Sequence, residues 1–389
     1  MNILLLGNGF DLYHNLPTKY INFINTVNFL KDNYDENEMN TIGKVFNDER
    51  LYSVDYGIKN SYEKYYTIYS RFPLDANNIK QLVEYAKNNT WFTYLSRIAE
   101  KIDTWIDFEK EIGCVVEAFE KFFEKNTRKE INFTHLSHND WEIIRIFKFF
   151  YSEFIDEGLG GKNYEVNDEF LAYLTLSNAP VINKKKIIDT LYNQLEDLSH
   201  MLKLYLRCFV ENVLDKISES GLCNTHSIFS NATHIFTLNY TNTFEKLYWG
   251  DGKKKFYHIH GIVGENIVLG VNSDEFDELD KLNTDFICFK KYYQRVYYKT
   301  DLKYLSAIKT INNIDKRIDH QLTVLGHSLD ITDKEIITTL FEYASKITIY
   351  CHDMKVIGSY IKNLISIYGK KGFDDLRISK DLTFSLLEE

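Results

Sequence analysis

The chain has 389 residues, 44% of them apolar and 15% aromatic, enough to fill a core and too many for a disordered chain. Only 18 Gly and 3 Pro punctuate it, which argues against a turn-rich sandwich or barrel and for long helices. Its 46 Lys and Arg against 56 Asp and Glu leave a net charge of −10, which argues against a general nucleic-acid binder, since that needs a basic face.

Ile3–Leu6 is a short aliphatic run closed by Gly7-Asn8-Gly9, the pattern of a strand covered on both faces. A helix should follow from Tyr20, with Thr18 as its N-cap. From about residue 35 to 220 the pattern is helical almost throughout. Ile102–Lys125, Trp141–Ile155 and Lys184–Ser218 carry apolar residues at helical spacing, and Asp156–Lys162 reads as a flexible loop. After residue 225 short strands alternate with helices. The strands are His234–Leu238, Phe256–His260, Ile267–Gly270, Gln321–Leu325 and Lys346–Cys351; the helices are Thr241–Tyr248, Asp333–Ala344 and Met354–Tyr368. Such alternation predicts a parallel α/β sheet. The lone strand at 3–6 finds no partner in the helical middle, so it should join the C-terminal sheet. The fold class is therefore α/β, with one sheet domain from 1–30 plus 226–389 and a large all-helical insertion over 31–225.

Cysteines at Cys114, Cys208, Cys223, Cys288 and Cys351 are odd in number and widely spaced, with no CxxC. They read against a disulfide framework or a cysteine zinc site, and for a reducing cytoplasm. No apolar run approaches the roughly 18 residues of a membrane span, and Met1–Gly7 lacks the basic start of a signal peptide.

Four motifs can carry chemistry. Gly7-Asn8-Gly9-Phe10-Asp11 follows a strand; it is either a plain turn or a phosphate cradle, and it lacks the third glycine of the dinucleotide fingerprint. Asp11 would repel a phosphate and suits a ribose hydroxyl or a backbone N–H. Asn239, in Thr237-Leu-Asn-Tyr-Thr241, ends a strand, where it can hold a water or sugar hydroxyl or simply cap the next helix. His258-Ile-His260-Gly261 offers a general base near neutral pH, or a structural imidazole. No HExxH or carboxylate-rich companion accompanies these histidines, so no metal is assigned. Gly326-His327-Ser328 repeats the strand–glycine–helix turn but lacks the second glycine of a nucleophile elbow. Two further segments read chiefly as structure: Glu109, in Trp105-Ile-Asp107-Phe-Glu109, is a solvated helix charge before it is a group reaching a cleft, and Lys290–Lys299, whose basic and aromatic residues could stack on single-stranded nucleic acid, reads first as an amphipathic helix with tyrosines on one side and cations in water.

In order along the chain, GNGFD…LPTKY (Gly7–Tyr20), WIDFE (Trp105–Glu109), NYTNTFEKLY (Asn239–Tyr248), HIHG (His258–Gly261) and GHSLDITD (Gly326–Asp333) resemble the bacterial abortive-infection family AbiH. More distantly, Gly7, Gly9 and Pro17 match the spacing of the sirtuin opening, with Asp11 in place of Ser and Asn15 in place of Gly. Thr237-Leu-Asn239-Tyr-Thr241 is similar to the sirtuin T-x-N-x-D, with Thr241 in place of Asp; His260-Gly261 and Gly326-His-Ser328 are similar to the sirtuin H-G and G-x-S. The four-cysteine ribbon of protein deacylases is missing. The resemblance implies a Rossmann-like, sirtuin-like sheet. It implies catalysis by Asn239 and His260, with nucleotide held by Gly7, Asn8, Gly9, Phe10, Asp11, Pro17, Gly326 and Ser328. The activity implied is hydrolysis of the nicotinamide–ribose bond of NAD in phage defence. NAD is then substrate, with no recycled cofactor. A phage-derived trigger and a homo-oligomer are the further partners such a role leaves open. A non-catalytic nucleotide sensor, and a nuclease or RNA-directed toxin using His258 and His260, are the competing readings.

Overall fold

The computed structural model describes residues 1–101, 105–154, 162–175, 178–222, 227–248, 252–271, 284–313 and 320–387. Of the expected loop Asp156–Lys162 only Lys162 falls among them, and Cys223 lies outside them.

Six strands form one sheet: β1 Asn2–Leu6, β2 His234–Thr237, β3 Lys255–His258, β4 Gln321–Leu325, β5 Lys346–Cys351 and β6 Leu382–Leu386. Their order is β6-β5-β4-β1-β2-β3, and every neighbouring pair is parallel. The N-terminal strand therefore does join the C-terminal segment, with Leu6 opposite both Thr237 and Leu325. The order matches that of doubly wound Rossmann sheets, in which the chain runs one way from the first strand and then reverses beside it. Here the reversal falls between β1 and β4. Side chains on a strand alternate between faces. Ile3 and Leu5 accordingly join Phe236, Val324 and Ile349 in one apolar cluster, while Leu4 and Leu6 join Phe10, Ile235 and Phe244 in the other. Burial on both faces is what the unbroken Ile3–Leu6 run encodes.

Two compact units divide the chain: 1–83, 202–268 and 294–389 in one, 84–201 and 269–293 in the other. Beside the expected 1–30 plus 226–389, the sheet unit takes in 31–83 and 202–225 and leaves out 269–293. The helical pattern gave element type but not what each helix packs against. Within this unit the Tyr205 hydroxyl donates to the Pro17 carbonyl at 2.7 Å, the Asn22 amide donates to Asp55 at 2.7 Å, and the Tyr65 hydroxyl donates to the His14 carbonyl. The helix at Tyr20–Asn33 is preceded by Lys19, not Thr18, in the N-cap position, where the Lys19 N–H donates to the Asn22 side chain at 3.0 Å.

The expected all-helical middle is corrected as well. Antiparallel hairpins pair Phe150–Phe154 with Lys162–Val166 and Leu171–Tyr173 with Pro180–Ile182. The helix expected over Trp141–Ile155 ends at Ile146; Lys148 then adopts φ 57°, a left-handed conformation that no helix continues through. Lys184–Leu206 is followed without interruption by a π-helical turn, Arg207–Glu211, and by the helix Asn212–Ser220. Ile267–Gly270, expected as a strand, makes only an isolated bridge from Ile267 to Gly261. The edge strand β6 was not anticipated; it follows a helix, Ile357–Ser379, broken at Gly369.

Two charged segments are inverted relative to expectation. Glu109 is buried and its carboxylate meets the equally buried Lys291 ammonium at 2.7 Å. On the helix Lys291–Tyr298 the side chains of Lys291, Gln294 and Arg295 are buried, whereas Tyr292 and Tyr297 are 59% and 64% exposed. The polar face points inward because its cations have carboxylate partners, Glu109 for Lys291 and Glu335 for Arg295; buried charges demand such partners.

Candidate active site at the carboxyl edge of the sheet

The turns after β1 and β4 meet at the point where the strand order reverses. The Gly7 N–H donates to the Leu325 carbonyl at 3.1 Å and the Gly9 N–H to the Gly326 carbonyl at 2.8 Å. A Cβ on Gly9 would lie 2.6 Å from the Gly326 Cα, and one on Gly326 would lie 2.2 Å from the Phe10 nitrogen. Gly326 also has φ 68°. These glycines are required so that two backbones can touch. The Gly7 and Gly9 N–H groups are spent inside the protein, and the Phe10 N–H bonds the Gly7 carbonyl. The expected cradle of Gly7, Asn8 and Gly9 thereby narrows to Asn8, which is half-buried and whose side chain makes no capping bond. The Phe10 ring is core, packed among Phe229, Phe244 and His14. Pro17 is buried with its carbonyl on Tyr205, and Ser328 is half-buried, its carbonyl held by the Asn363 amide. Asn15 has φ 56°, a conformation that asparagine tolerates better than most side chains.

Beyond β2, Asn239 is buried and its N–H donates to the Thr237 hydroxyl at 3.1 Å. The following helix begins only at Thr243, so Asn239 is not its cap. The same segment wraps the buried Asp11. The Thr241 hydroxyl donates to Asp11 Oδ2 at 2.7 Å, and the Thr243 hydroxyl donates to that of Thr241 at 3.1 Å. Asp11 Oδ1 is buried without a hydrogen bond. Burial pushes the Asp11 carboxyl up to about 7; Thr241, Thr243 and Asn239 pull the other way, and the Glu211 charge adds to the rise. Asp11 is therefore a group that changes charge near neutral pH.

His258 and His260 divide their labour. His258 Nε2 meets Glu245 Oε1 at 2.5 Å, and Nδ1 lies 3.4 Å from the Asn239 carbonyl. Both partners are acceptors, so this ring ties the helix Thr243–Tyr248 to the Asn239 backbone. His260 lies past the end of β3, buried, with its carbonyl accepting from the Val268 N–H at 2.8 Å. Gly261 follows at φ 81°, where a Cβ would lie 2.0 Å from the Asn266 carbonyl. His260 Nε2 stands 3.4 Å from Asp333 Oδ1, and His327 Nε2 stands 3.2 Å from Asp333 Oδ2. Two buried imidazoles thus flank one buried carboxylate, His327 through a hydrogen bond and His260 at ion-pair distance only.

Along the edge, then, the residues that follow β3, β2, β1 and β4 supply His260, Asn239, Asp11 and His327 in that order. A family model described as bacteriophage abortive infection AbiH matches residues 3–352. The chain belongs to the AbiH family. No curated protein and no solved structure matches it. Among the described residues no helix is long and apolar enough to cross a membrane.

Sequence reasoning missed the role of four residues in this AbiH chain: Thr241 and Thr243, which solvate Asp11, His327, and Asp333, which faces two histidines. Asp333 and His327 sit inside the GHSLDITD element, yet spacing alone could not show that the His260 turn folds against it.

Proposed function

We propose that this AbiH protein hydrolyses the nicotinamide–ribose bond of NAD during phage infection, so that depletion of NAD stops growth before phage are released. The observation that carries the reading is the set of side chains along the carboxyl edge of the sheet, from the strand-order reversal between β1 and β4 outward to β2 and β3. Open α/β sheets gather ligands beyond the carboxyl ends of their strands at such a point, and here that edge presents a buried amide, Asn239, and a carboxylate-backed imidazole, His260. The resemblance of these segments to sirtuin motifs supports NAD as the nucleotide. Departure of nicotinamide takes the electrons of the C–N bond and leaves positive charge on the ribose, as at an oxocarbenium centre. Water forms the new C–O bond and gives its proton to His260, the general base. Asn239 orients the water or the ribose, Asn8 lies at the pyrophosphate, and Gly326 and Ser328 flank the adenosine side. The products are nicotinamide, ADP-ribose and a proton.

Purified protein incubated with NAD should release free nicotinamide, and His260→Ala and Asn239→Ala should abolish release while leaving the fold intact. Wild-type protein that protects cells from phage yet releases none, even during infection, would exclude the reading. A second reading, a nucleotide sensor without catalysis, is favoured by one feature: the Thr241 hydroxyl is spent on Asp11 and does not face a ligand. Saturable NAD binding without nicotinamide release would select it.

A further inference from the structure

We propose that Glu211 is the positioning residue of the segment that carries Asn239: through both of its carboxylate oxygens it clamps Asn242, and so fixes where the chain leaving β2 places Asn239. The inference deepens the hydrolytic reading and rests on it for the role of Asn239, but its geometry stands apart from any substrate. Residues 238–242 join β2 to the helix Thr243–Tyr248. The Asn242 N–H donates to Glu211 Oε1 at 2.5 Å, and the Asn242 side-chain amide donates to Oε2 at 3.1 Å. A carboxylate only accepts, so both bonds run one way and the orientation of the Asn242 amide is settled. A main-chain and a side-chain donor on one residue fix its orientation as well as its place, and the ionised acceptor makes both bonds charge-assisted. On the strand side the segment is held at Asn239 itself, whose N–H donates to the Thr237 hydroxyl at 3.1 Å and whose carbonyl lies 3.4 Å from His258 Nδ1. Thr241 is held at Asp11, and Glu211 supplies the hold on the helix side.

Glu211 reaches Asn242 from the π-helical turn Arg207–Glu211, which stands between the helices Lys184–Leu206 and Asn212–Ser220. A π turn breaks the helical register by one residue and recurs at functional sites. In this one Cys208, Phe209 and Val210 are buried, while the last residue, Glu211, ends on Asn242. One turn further on, Asp215 meets the Lys246 ammonium at 2.9 Å, so residues four apart on one side face residues four apart on the other. That second pair is exposed and contributes little; Glu211 and Asn242 are half-buried and set the register of the contact. The neighbouring carboxylate, Glu245, cannot substitute, because it is taken by His258 Nε2 at 2.5 Å. Glu211 is also felt within the site, where its charge adds to the rise of the Asp11 carboxyl.

The test exchanges the two groups. In Glu211→Gln the new amide can accept only one of the two Asn242 donors. In Asn242→Asp a second carboxylate faces Glu211 where a donor stood. In the double variant the glutamine carbonyl can accept the main-chain N–H while its amide donates to the new carboxylate, so both bonds return with one of them reversed. Nitrogen NMR of protein labelled with ¹⁵N-asparagine reads the side-chain amides, and Asn239→Asp identifies the Asn239 signal by subtraction. Each single variant should shift that signal, the double variant should bring it back, and Asp215→Ala, which cuts only the exposed pair, should leave it in place. An Asn239 signal unmoved in both single variants, or no nearer wild type in the double variant, would overturn the proposal, whatever the protein's activity. A shift just as large in Asp215→Ala would overturn it too, by assigning the hold to the whole helix. If a single variant does not fold, the double variant decides alone: it must fold and show the wild-type signal. Where nicotinamide release is observed, each single variant should lower kcat by about 10–10²-fold with KM little changed, as a displacement of about 1 Å can do, and the double variant should recover most of the loss. Failure of the activity reading would leave the NMR result standing, so the two can fail separately.

Discussion

Asp11 should make the protein less stable as pH rises, and its replacement by Asn should reveal by how much. Its carboxyl is pushed from 3.8 up to about 7 in the fold. The sign follows from linkage. Below pH 3.8 the acid is protonated in both states and its neutral burial is fully favourable. Between 3.8 and about 7 the unfolded chain ionises while the folded one does not, so stability falls with rising pH. Above 7 the loss is complete. About three pKa units at about 1.4 kcal/mol each give roughly 4 kcal/mol. Wild-type protein alone would hide this, because nearby His14 works in the opposite sense. Burial and the Lys64 charge push His14 from 6.5 down to about 3. Its contribution is therefore fully present above pH 6.5 and lost as pH falls toward 3, with a slope that cancels that of Asp11 between about 3.8 and 6.5. Asp11→Asn removes one limb and keeps the acceptor for Thr241. In urea unfolding followed by circular dichroism, the variant should gain about 4 kcal/mol relative to wild type between pH 4 and pH 8. With a slope of about 3 kcal/mol/M that is a midpoint shift of more than ~1 M. A gap that stays constant across this range would show that Asp11 carries no buried-charge cost, and the reasoning from its environment would be wrong.

Other expectations follow from backbone and packing. Gly326→Ala combines left-handed strain of about 1–2 kcal/mol with an overlap on the Phe10 nitrogen that cannot relax cheaply, of about 1–3 kcal/mol. Gly221→Ala, at a nearly equal φ of 69° but with nothing within 4 Å, should cost only the first part; equal thermal shifts for the two would refute the loop-against-loop role. Glu109→Gln removes the carboxylate 2.7 Å from the buried Lys291 ammonium and should destabilise its unit by about 3–5 kcal/mol; a thermal melt that does not move would place that pair in water. Nicotinamide release should fall about 10²–10⁴-fold in His260→Ala and far less in His258→Ala, whose ring is occupied by Glu245 and the Asn239 carbonyl; the reverse order would exchange the two assignments.

What the sequence made legible, and what it did not, divides along a physical line. Ile3–Leu6 declared its burial on both faces because a parallel strand has no solvent side, and the missing partner before residue 230 forced it into the C-terminal sheet. The Gly7, Gly9, Asn239, His260 and Gly326 positions were legible because each lies within a few residues past a strand end, and strand ends show in the hydrophobic run. Contacts that close through space left no such trace. Nothing in the spacing of Asp11 and Thr241, 230 positions apart, says that a hydroxyl will meet a carboxylate at 2.7 Å. Nor does HIHG announce that its second imidazole will flank Asp333 together with His327. Charge misled for the same reason. Glu109, Lys291 and Arg295 look solvated because a lone charge on a helix usually is, and only their carboxylate–cation pairing lets the fold bury them. The glycine turns show the limit most sharply. GNG and GHS each read as a turn that could approach a phosphate, yet Gly9 and Gly326 bring their backbones close to each other instead. The freedom that glycine supplies was read correctly, and the neighbour that uses it was supplied by tertiary structure. In the reading proposed above, recognition at this edge would fall chiefly to side chains, Asn8, Asn239 and His260 first among them, because the Gly7 and Gly9 N–H groups already bond the Leu325 and Gly326 carbonyls.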